Sequence, residues 1–382
     1  MPAVEQYGGK TSPAALVGQG ESMGVRPGDR LMERTERKGM LVKRHTTRLA
    51  VGLAVAAVAA AALGAGAALS ADNLKTGQTI YFIPKDTLNP YEVIADNGGK
   101  LALDAIGNKQ VVSSGTQDTA AAQIPSIQAA IQNRANAIVI AGNDPQGLCQ
   151  QLNAAKAAGV AIVSFDSDVN CRSLFINQAN TETIGRSQVQ LLAQLMGTKG
   201  QIAILSAAST ATNQNAWIKF MKLELKKAKY KNLKLVKIAY GDDNPAKSLT
   251  ETQSLLKAFP NLKGIISPTT VGISSAAQYL SRTPKFKKKI VLTGLGLPSQ
   301  MKKYVLDGTV KKFALWNPRD LGYLAGYAAS ALASGVITGK VGESFSAGKL
   351  GKYTIVKGAN GPEVVLGPPF TFDKTNVTKF NF

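Results

Sequence analysis

Short apolar runs alternate with helical stretches along most of this 382-residue chain, and this alternation limits the fold more than any other feature. The runs at residues 137–140 and 160–163 consist of Ala, Val and Ile alone. Strands without a polar face are buried on both sides, which is typical of parallel sheets. The stretches between the runs, such as 98–106, 120–133 and 145–158, have the length of single helices. We therefore predict the α/β class, with helices on both faces of parallel sheets.

The alternation occurs in two successive series, which predicts two α/β lobes. The second series begins with a helix at 183–196 and a strand at 201–205. A long helix at 319–335 and a late segment at 364–372 follow it, so the chain is expected to cross back to the first lobe through a hinge of several strands. We assign residues 77–180 and 317–345 to the first lobe, and residues 181–312 and 350–382 to the second.

Residues 40–71 have the plan of a secretory signal peptide, with a basic flank, an apolar block and a polar continuation. We expect cleavage near Ala71 and export of the remainder. A membrane anchor is the alternative, but Ala and Gly make the block only weakly hydrophobic. Residues 1–39, which precede the signal, are either a disordered leader or the product of a mis-assigned start, with Met40 the true first residue.

The chain carries a formal net charge of +21, which raises the question of a nucleic-acid partner. Its Lys and Arg residues are spread over amphipathic stretches and short runs such as 285–289, without forming a recognition stripe. They are typical of solvated helix faces, and we expect no nucleic-acid partner.

The two cysteines and the single histidine narrow the possible chemistry further. Cys149 and Cys171 are expected to form a disulfide in an exported chain, with two buried thiols as the alternative. His45 lies inside the predicted signal, so a catalytic triad or a metal site that needs His is excluded from the mature part. We expect no cofactor and no metal.

Polar side chains follow the predicted strands, where open parallel sheets bind their ligands. Carboxylates and amides offer the donors and acceptors that vicinal hydroxyls need, and an aromatic plane suits the C–H face of a sugar ring. The set therefore favours a small polyol over an anion. The candidate ligand-binding residues are Lys85, Asn89, Tyr91, Asn143, Asp166, Asp168, Asn213, Gln214, Pro268, Thr270, Trp316 and Asn317.

Several candidates have simpler alternatives. Asp166 or Asp168 could cap the next helix, Asn213 could cap its own, and Trp316 could fill the core. As an acid/base pair, the two aspartates would make the protein a secreted glycoside hydrolase. Residues two apart rarely face each other across a sugar ring, so we expect no enzyme activity.

The same residues carry a resemblance to a known family. The segments FIPK (82–85), NDPQGLC (143–149), FDSD (165–168) and ATNQNAW (211–217) resemble the periplasmic solute-binding proteins of ABC sugar importers, of the ribose-binding type. The likeness is strongest to the rhamnose-binding branch and its relative, the autoinducer-2 receptor. It implies a type I periplasmic binding protein fold, with two Rossmann-like lobes whose parallel sheets are joined by a multi-strand hinge. It also implies a monomer in the periplasm, a Cys149–Cys171 bridge, a monosaccharide ligand in the cleft, and an inner-membrane ABC permease as partner.

The receptor's ligand contacts map onto Lys85, Asp166, Asn213, Gln214, Pro268 and Thr270. This chain departs from the receptor at two of them, with Asn213 in place of Asp and Thr270 in place of Ala. A site built for one hydroxyl pattern rejects another because buried polar groups are left unpaired. The departures therefore favour a 6-deoxyhexose such as rhamnose, and the alternative is autoinducer-2.

Overall fold

A computed structural model describes residues 73–382 of the chain. The predicted leader at 1–39 and the predicted signal at 40–71 lie outside the described residues. Within the described part, no helix is both long enough and apolar enough to cross a bilayer.

The first sheet has seven strands in the order β13-β14-β5-β4-β3-β1-β2. All neighbours run parallel except β13 and β14, which form an antiparallel pair. The strands are β1 (Thr79–Ile83), β2 (Lys109–Val112), β3 (Ala137–Ile140), β4 (Ala161–Phe165), β5 (Leu174–Asn177), β13 (Val356–Gly358) and β14 (Gly361–Val365).

The second sheet has four parallel strands in the order β7-β6-β8-β9. A two-stranded antiparallel ribbon, β10 with β15, adjoins it through a bridge between Leu295 and Ala314. The hairpin β11–β12 stands apart. The strands are β6 (Lys199–Ser206), β7 (Asn232–Tyr240), β8 (Leu262–Ser267), β9 (Val291–Gly294), β10 (Lys312–Leu315), β11 (Ser344–Ser346), β12 (Lys352–Thr354) and β15 (Phe370–Asp373).

Helices connect the parallel strands and cover the first sheet on both faces, as predicted. Within β3, Ala137 and Val139 belong to one apolar cluster, whereas Ile138 and Ile140 belong to another on the opposite face. The helices are α1 (Pro90–Ile106), α2 (Ala120–Gln132), α3 (Cys149–Ala157), α4 (Thr181–Met196), α5 (Thr212–Leu225), α6 (Pro245–Ala258), α7 (Thr270–Ser281), α8 (Pro284–Lys287), α9 (Pro298–Leu306) and α10 (Pro318–Ser334).

The chain passes between the two sheets at three places. It leaves β5 of the first sheet for α4 and β6, returns from β10 to α10 on the first sheet, and leaves β14 for β15 beside β10. The predicted hinge of several strands is confirmed. The pairing of β14 with β5 corrects the placement of 350–382 entirely with the second lobe, because residues 356–365 extend the first sheet.

Two helices of the first lobe, α1 and α10, pack so closely that their glycines are required. A Cβ on Gly322 would lie 1.8 Å from the Ala95 carbonyl oxygen, and one on Gly98 would lie 1.9 Å from that of Arg319. This contact explains an error in the predicted helix, which began at residue 98. The observed α1 begins at Pro90, with Asn89 as its N-cap. Gly98 and Gly99 lie inside this helix, where they allow close packing, and do not mark its start.

The predicted disulfide between Cys149 and Cys171 is confirmed, with the two Cα atoms 5.4 Å apart. It joins the start of α3 to the loop that follows β4. That loop also carries Asp166, so the bridge restrains a segment that contributes to the site described next.

Candidate ligand-binding cleft

The carboxyl ends of strands from both sheets meet in one cleft. Lys85 and Asp166 follow β1 and β4 of the first sheet, and Trp316 follows β10. The first turns of α1, α5 and α7 also point into the cleft, which places helix N-termini, with their partial positive charge, around it. The cleft brings together nine of the twelve predicted residues: Lys85, Asn89, Tyr91, Asp166, Asn213, Gln214, Pro268, Thr270 and Trp316.

Asp166 is the centre of the polar network. Its Oδ1 accepts a hydrogen bond from the Tyr91 hydroxyl at 2.9 Å, and its Oδ2 accepts one from Asn213 Nδ2 at 2.9 Å. Lys85 Nζ lies 3.7 Å from the same Oδ2. Asp166 holds a left-handed backbone conformation, with φ at 56°, which turns its carboxylate into the cleft.

Lys85 connects the first lobe to the second. Its ammonium donates to Asn213 Oδ1 at 3.3 Å and to Gln214 Oε1 at 3.5 Å, and both acceptors lie on α5. Gln214 Nε2 in turn donates to the Pro268 carbonyl at 3.4 Å. These groups, which bond to one another directly across the lobes, are the donors and acceptors that a polyol would use.

Aromatic side chains also line the cleft. Trp316 Nε1 donates to the Tyr91 hydroxyl at 2.7 Å, so the tryptophan orients the tyrosine that contacts Asp166. Trp217 packs edge-on against Trp316, with ring centroids 5.8 Å apart. Trp316 therefore packs in the core and also lines the cleft.

Burial and charge set the protonation of the site. Burial alone would lower the pKa of Lys85, but Asp166, Asp118, Asp243 and Glu92 together raise it well above its usual value, so the amine stays protonated. Burial raises the pKa of Asp166, and Lys85 opposes that shift. Burial of the carboxyl also raises the pKa of Glu92 well above its usual value.

Three of the predicted residues do not line this cleft. Asn143 Nδ2 donates to the Lys85 carbonyl at 2.8 Å, so it supports the loop that carries the lysine. Asp168 pairs with Arg172, with Oδ1 3.0 Å from Nε. Asn317 caps α10 by accepting from Arg319 N. Each side chain has a partner outside the cleft, which a position at the end of a strand does not reveal.

The cleft also contains residues that the sequence analysis missed, namely Glu92, Trp217, Asp243, Thr269, Leu295 and Leu315. Asp243, which accepts a hydrogen bond from Thr269, follows β7 and would have been found by extending the strand-end rule to that strand. Glu92 and Trp217 lie three residues after Asn89 and Gln214, on the same helix faces. Among residues 73–382, no cluster of acidic, His and Cys side chains has the arrangement of a metal site.

A buried aspartate on α1 makes stability depend on pH. Burial raises the pKa of Asp96 to about 7, from 3.8, so the folded state holds its proton more tightly than the unfolded state does. Stability therefore falls as pH rises from about 4 to 7. We expect Asp96→Asn to gain roughly 1–3 kcal/mol over the natural chain at pH 8, and nothing at pH 4. Urea unfolding at both pH values measures this, and an equal effect at both would contradict it.

Comparison with known proteins identifies the family of the chain. The family model described as "Periplasmic binding protein domain" matches residues 80–336. An ABC transporter solute-binding protein from Clostridium phytofermentas with bound L-rhamnose is 39% identical, with a TM-score of 0.78 over 80% of this chain and 98% of that one. A sugar ABC transporter protein from Actinomyces odontolyticus is 45% identical, with a TM-score of 0.64 over 81% and 100%.

LsrB from Clostridium saccharobutylicum, solved in complex with AI-2, is 25% identical, with a TM-score of 0.75 over 80% of this chain and 100% of that one. The resemblance found in the sequence is thus confirmed. This chain belongs to the periplasmic binding protein family, among the solute-binding proteins of sugar ABC transporters.

Proposed function

We propose that this protein captures L-rhamnose in the cleft between its lobes and delivers it to an ABC permease in the inner membrane. One observation carries the proposal: Lys85, Asp166, Asn213, Gln214, Pro268 and Thr270 line a single interlobe cleft. A relative 39% identical over 98% of its own length was solved with L-rhamnose bound.

The chemistry of the cleft fits a 6-deoxyhexose. Asp166, Asn213 and Gln214 supply paired donors and acceptors for vicinal hydroxyls, which would replace the bonds these groups make with Lys85. Apolar side chains line another part of the cleft and suit the methyl group at C6, where other hexoses carry a hydroxyl. These apolar residues are Trp217, Leu295, Leu315 and Trp316.

Isothermal calorimetry with L-rhamnose, D-ribose and autoinducer-2 (AI-2) tests the proposal directly. We expect saturable binding of L-rhamnose and markedly weaker binding of D-ribose, which lacks the methyl group. The absence of heat with L-rhamnose at about 1 mM, a concentration that detects even weak sites, would contradict it. A release assay on aryl glycosides checks the expected lack of hydrolase activity.

Binding of AI-2 for import or signalling is the second candidate function, favoured by the likeness to LsrB. Selectivity between the two ligands is expected to depend on Asn213 and Thr270. The double variant Asn213→Asp, Thr270→Ala should lose rhamnose affinity by roughly 10-fold or more, since each buried group left unpaired costs about 1–3 kcal/mol. Its preference should shift towards AI-2 in the same calorimetric assay.

The matched control for this pair is Asn317→Asp, which makes the same amide-to-acid change at a helix cap outside the cleft. It should leave both affinities unchanged. A double variant with the natural chain's selectivity would show that other residues decide between the ligands.

Delivery to a permease requires export, and we infer a periplasmic location and a monomeric state. Sedimentation equilibrium of the purified protein tests the monomer. Edman sequencing of the secreted protein tests cleavage near Ala71, and an N-terminus upstream of Met40 would contradict it.

A further inference from the structure

A second cavity of about 350 Å³ adjoins the monosaccharide cleft. Its volume falls within the range of about 300–1,000 Å³ that small-molecule sites occupy. Asp166, Asn213 and Trp217 line both spaces, so the hydrogen bond between Asp166 Oδ2 and Asn213 Nδ2 lies at the boundary between them. Residues of both lobes form the remaining walls, including Gln178 from the first crossing and Phe220 from α5.

The cavity contains polar groups that lack partners. Gln178 is only 1% exposed, and within residues 73–382 no hydrogen bond reaches its Oε1. The hydroxyl oxygen of Thr212, on the wall formed by the second lobe, is likewise without a partner in the described part of the chain. Burying a polar atom without a hydrogen-bond partner is unfavourable, so a ligand that supplies hydroxyl donors to these oxygens would bind more tightly.

The carboxylates around the cavity already have partners, and Lys219, which also lines it, is exposed. Asp168 pairs with Arg172, and Glu182 accepts from Arg186 Nε at 2.6 Å. Glu363, whose pKa is raised by burial, accepts from Asn177 Nδ2 at 3.3 Å. The groups that still lack a partner are therefore neutral oxygens, which a neutral polar ligand can satisfy. The aromatic side chains of Phe175, Trp217 and Phe220 suit the C–H face of a sugar ring.

We propose that this cavity is a subsite for a second sugar ring, so that the protein binds a rhamnose-terminated disaccharide more tightly than rhamnose itself. The inference rests on the proposed function, because the first ring would occupy the cleft beside Asp166 and Asn213. The glycosidic linkage between the rings would then lie beside Asp166 and Asn213, at the boundary between the two spaces. The second ring would contact Gln178 and Thr212.

Calorimetry with methyl α-L-rhamnoside and with rutinose, in which L-rhamnose is linked to glucose, tests the subsite. In the natural chain, rutinose should bind at least 10-fold more tightly. Gln178→Leu should remove most of that advantage while leaving the affinity for methyl rhamnoside unchanged. Thr212→Val should act in the same direction and provides a second variant on the opposite wall.

Gln188→Leu is the matched control, because Gln188 is equally buried, has an unpartnered Oε1 and lies outside the cavity. It should affect neither ligand. Equal affinities for both ligands in the natural chain, or a Gln178→Leu effect of the same size on both, would overturn the subsite and leave the proposed function intact. Failure of L-rhamnose and of its methyl glycoside to bind would instead count against the proposed function.

Discussion

Replacing Asp166 with asparagine is expected to weaken L-rhamnose binding by roughly 30-fold or more. The substitution keeps the shape of the side chain but removes the charge that faces Lys85 within the first lobe and Asn213 of the second lobe. Removing one partner of a buried, hydrogen-bonded charge pair costs about 2–5 kcal/mol, and each 1.4 kcal/mol is about tenfold in affinity. Calorimetric titration of the purified variant measures the change.

Asp168→Asn is the matched control for this experiment. Asp168 belongs to the same loop and is almost as buried, but its carboxylate pairs with Arg172 and does not line the cleft. We expect lower thermal stability with rhamnose affinity within about threefold of the natural value, a change below roughly 0.7 kcal/mol. Equal losses of affinity in the two variants would mean that Asp166 acts through the fold of the loop and not by direct contact.

Replacing Gly322 with alanine is expected to destabilise the protein by about 3 kcal/mol or more, at the upper end of overpacking effects. The added Cβ would lie 1.8 Å from the Ala95 oxygen and 2.6 Å from its carbonyl carbon. Both atoms are backbone atoms of α1, so the two helices must move apart. The higher helix propensity of alanine, about 1 kcal/mol, offsets only part of this loss. Urea unfolding measures the difference.

Gly326→Ala gives the comparison one turn further along α10. There the new Cβ would lie 3.0 Å from the Ala102 Cβ and 3.3 Å from the Gly99 oxygen, which small shifts can relieve. We expect a clearly smaller loss than for Gly322→Ala. Equal losses in the two variants would show that close packing at Gly322 is not what limits stability.

Local sequence patterns predicted the fold correctly where the residues of one strand or helix are enough to determine its structure. The apolar runs at 137–140 and 160–163 can only be strands buried on both faces, and the residues that follow strands gathered in the cleft because parallel strands end at one edge. The predicted start of α1 was wrong because its glycines are required by contact with α10, more than 200 residues away in the sequence. The strand β14 was misplaced because its partner, β5, lies far earlier in the chain.

Side-chain partnerships were the least predictable part of the site. Asp166 and Asp168 are two residues apart and chemically identical, yet one faces the cleft and the other faces Arg172. The left-handed backbone conformation at Asp166 makes the two carboxylates point in different directions, and this conformation cannot be read from the residue pattern. Glu92 was missed because the predicted helix began at residue 98, which left Glu92 outside any predicted helix.

The three passages of the backbone between the sheets have a consequence for how a ligand enters. Sliding or twisting one lobe over the other would distort three separate segments at once, whereas bending about a line through them changes a few dihedral angles in each. We therefore expect the lobes to open by rotation about that line. A sugar is admitted and released along the same arc, and the rim opposite the three passages is where the gap widens first.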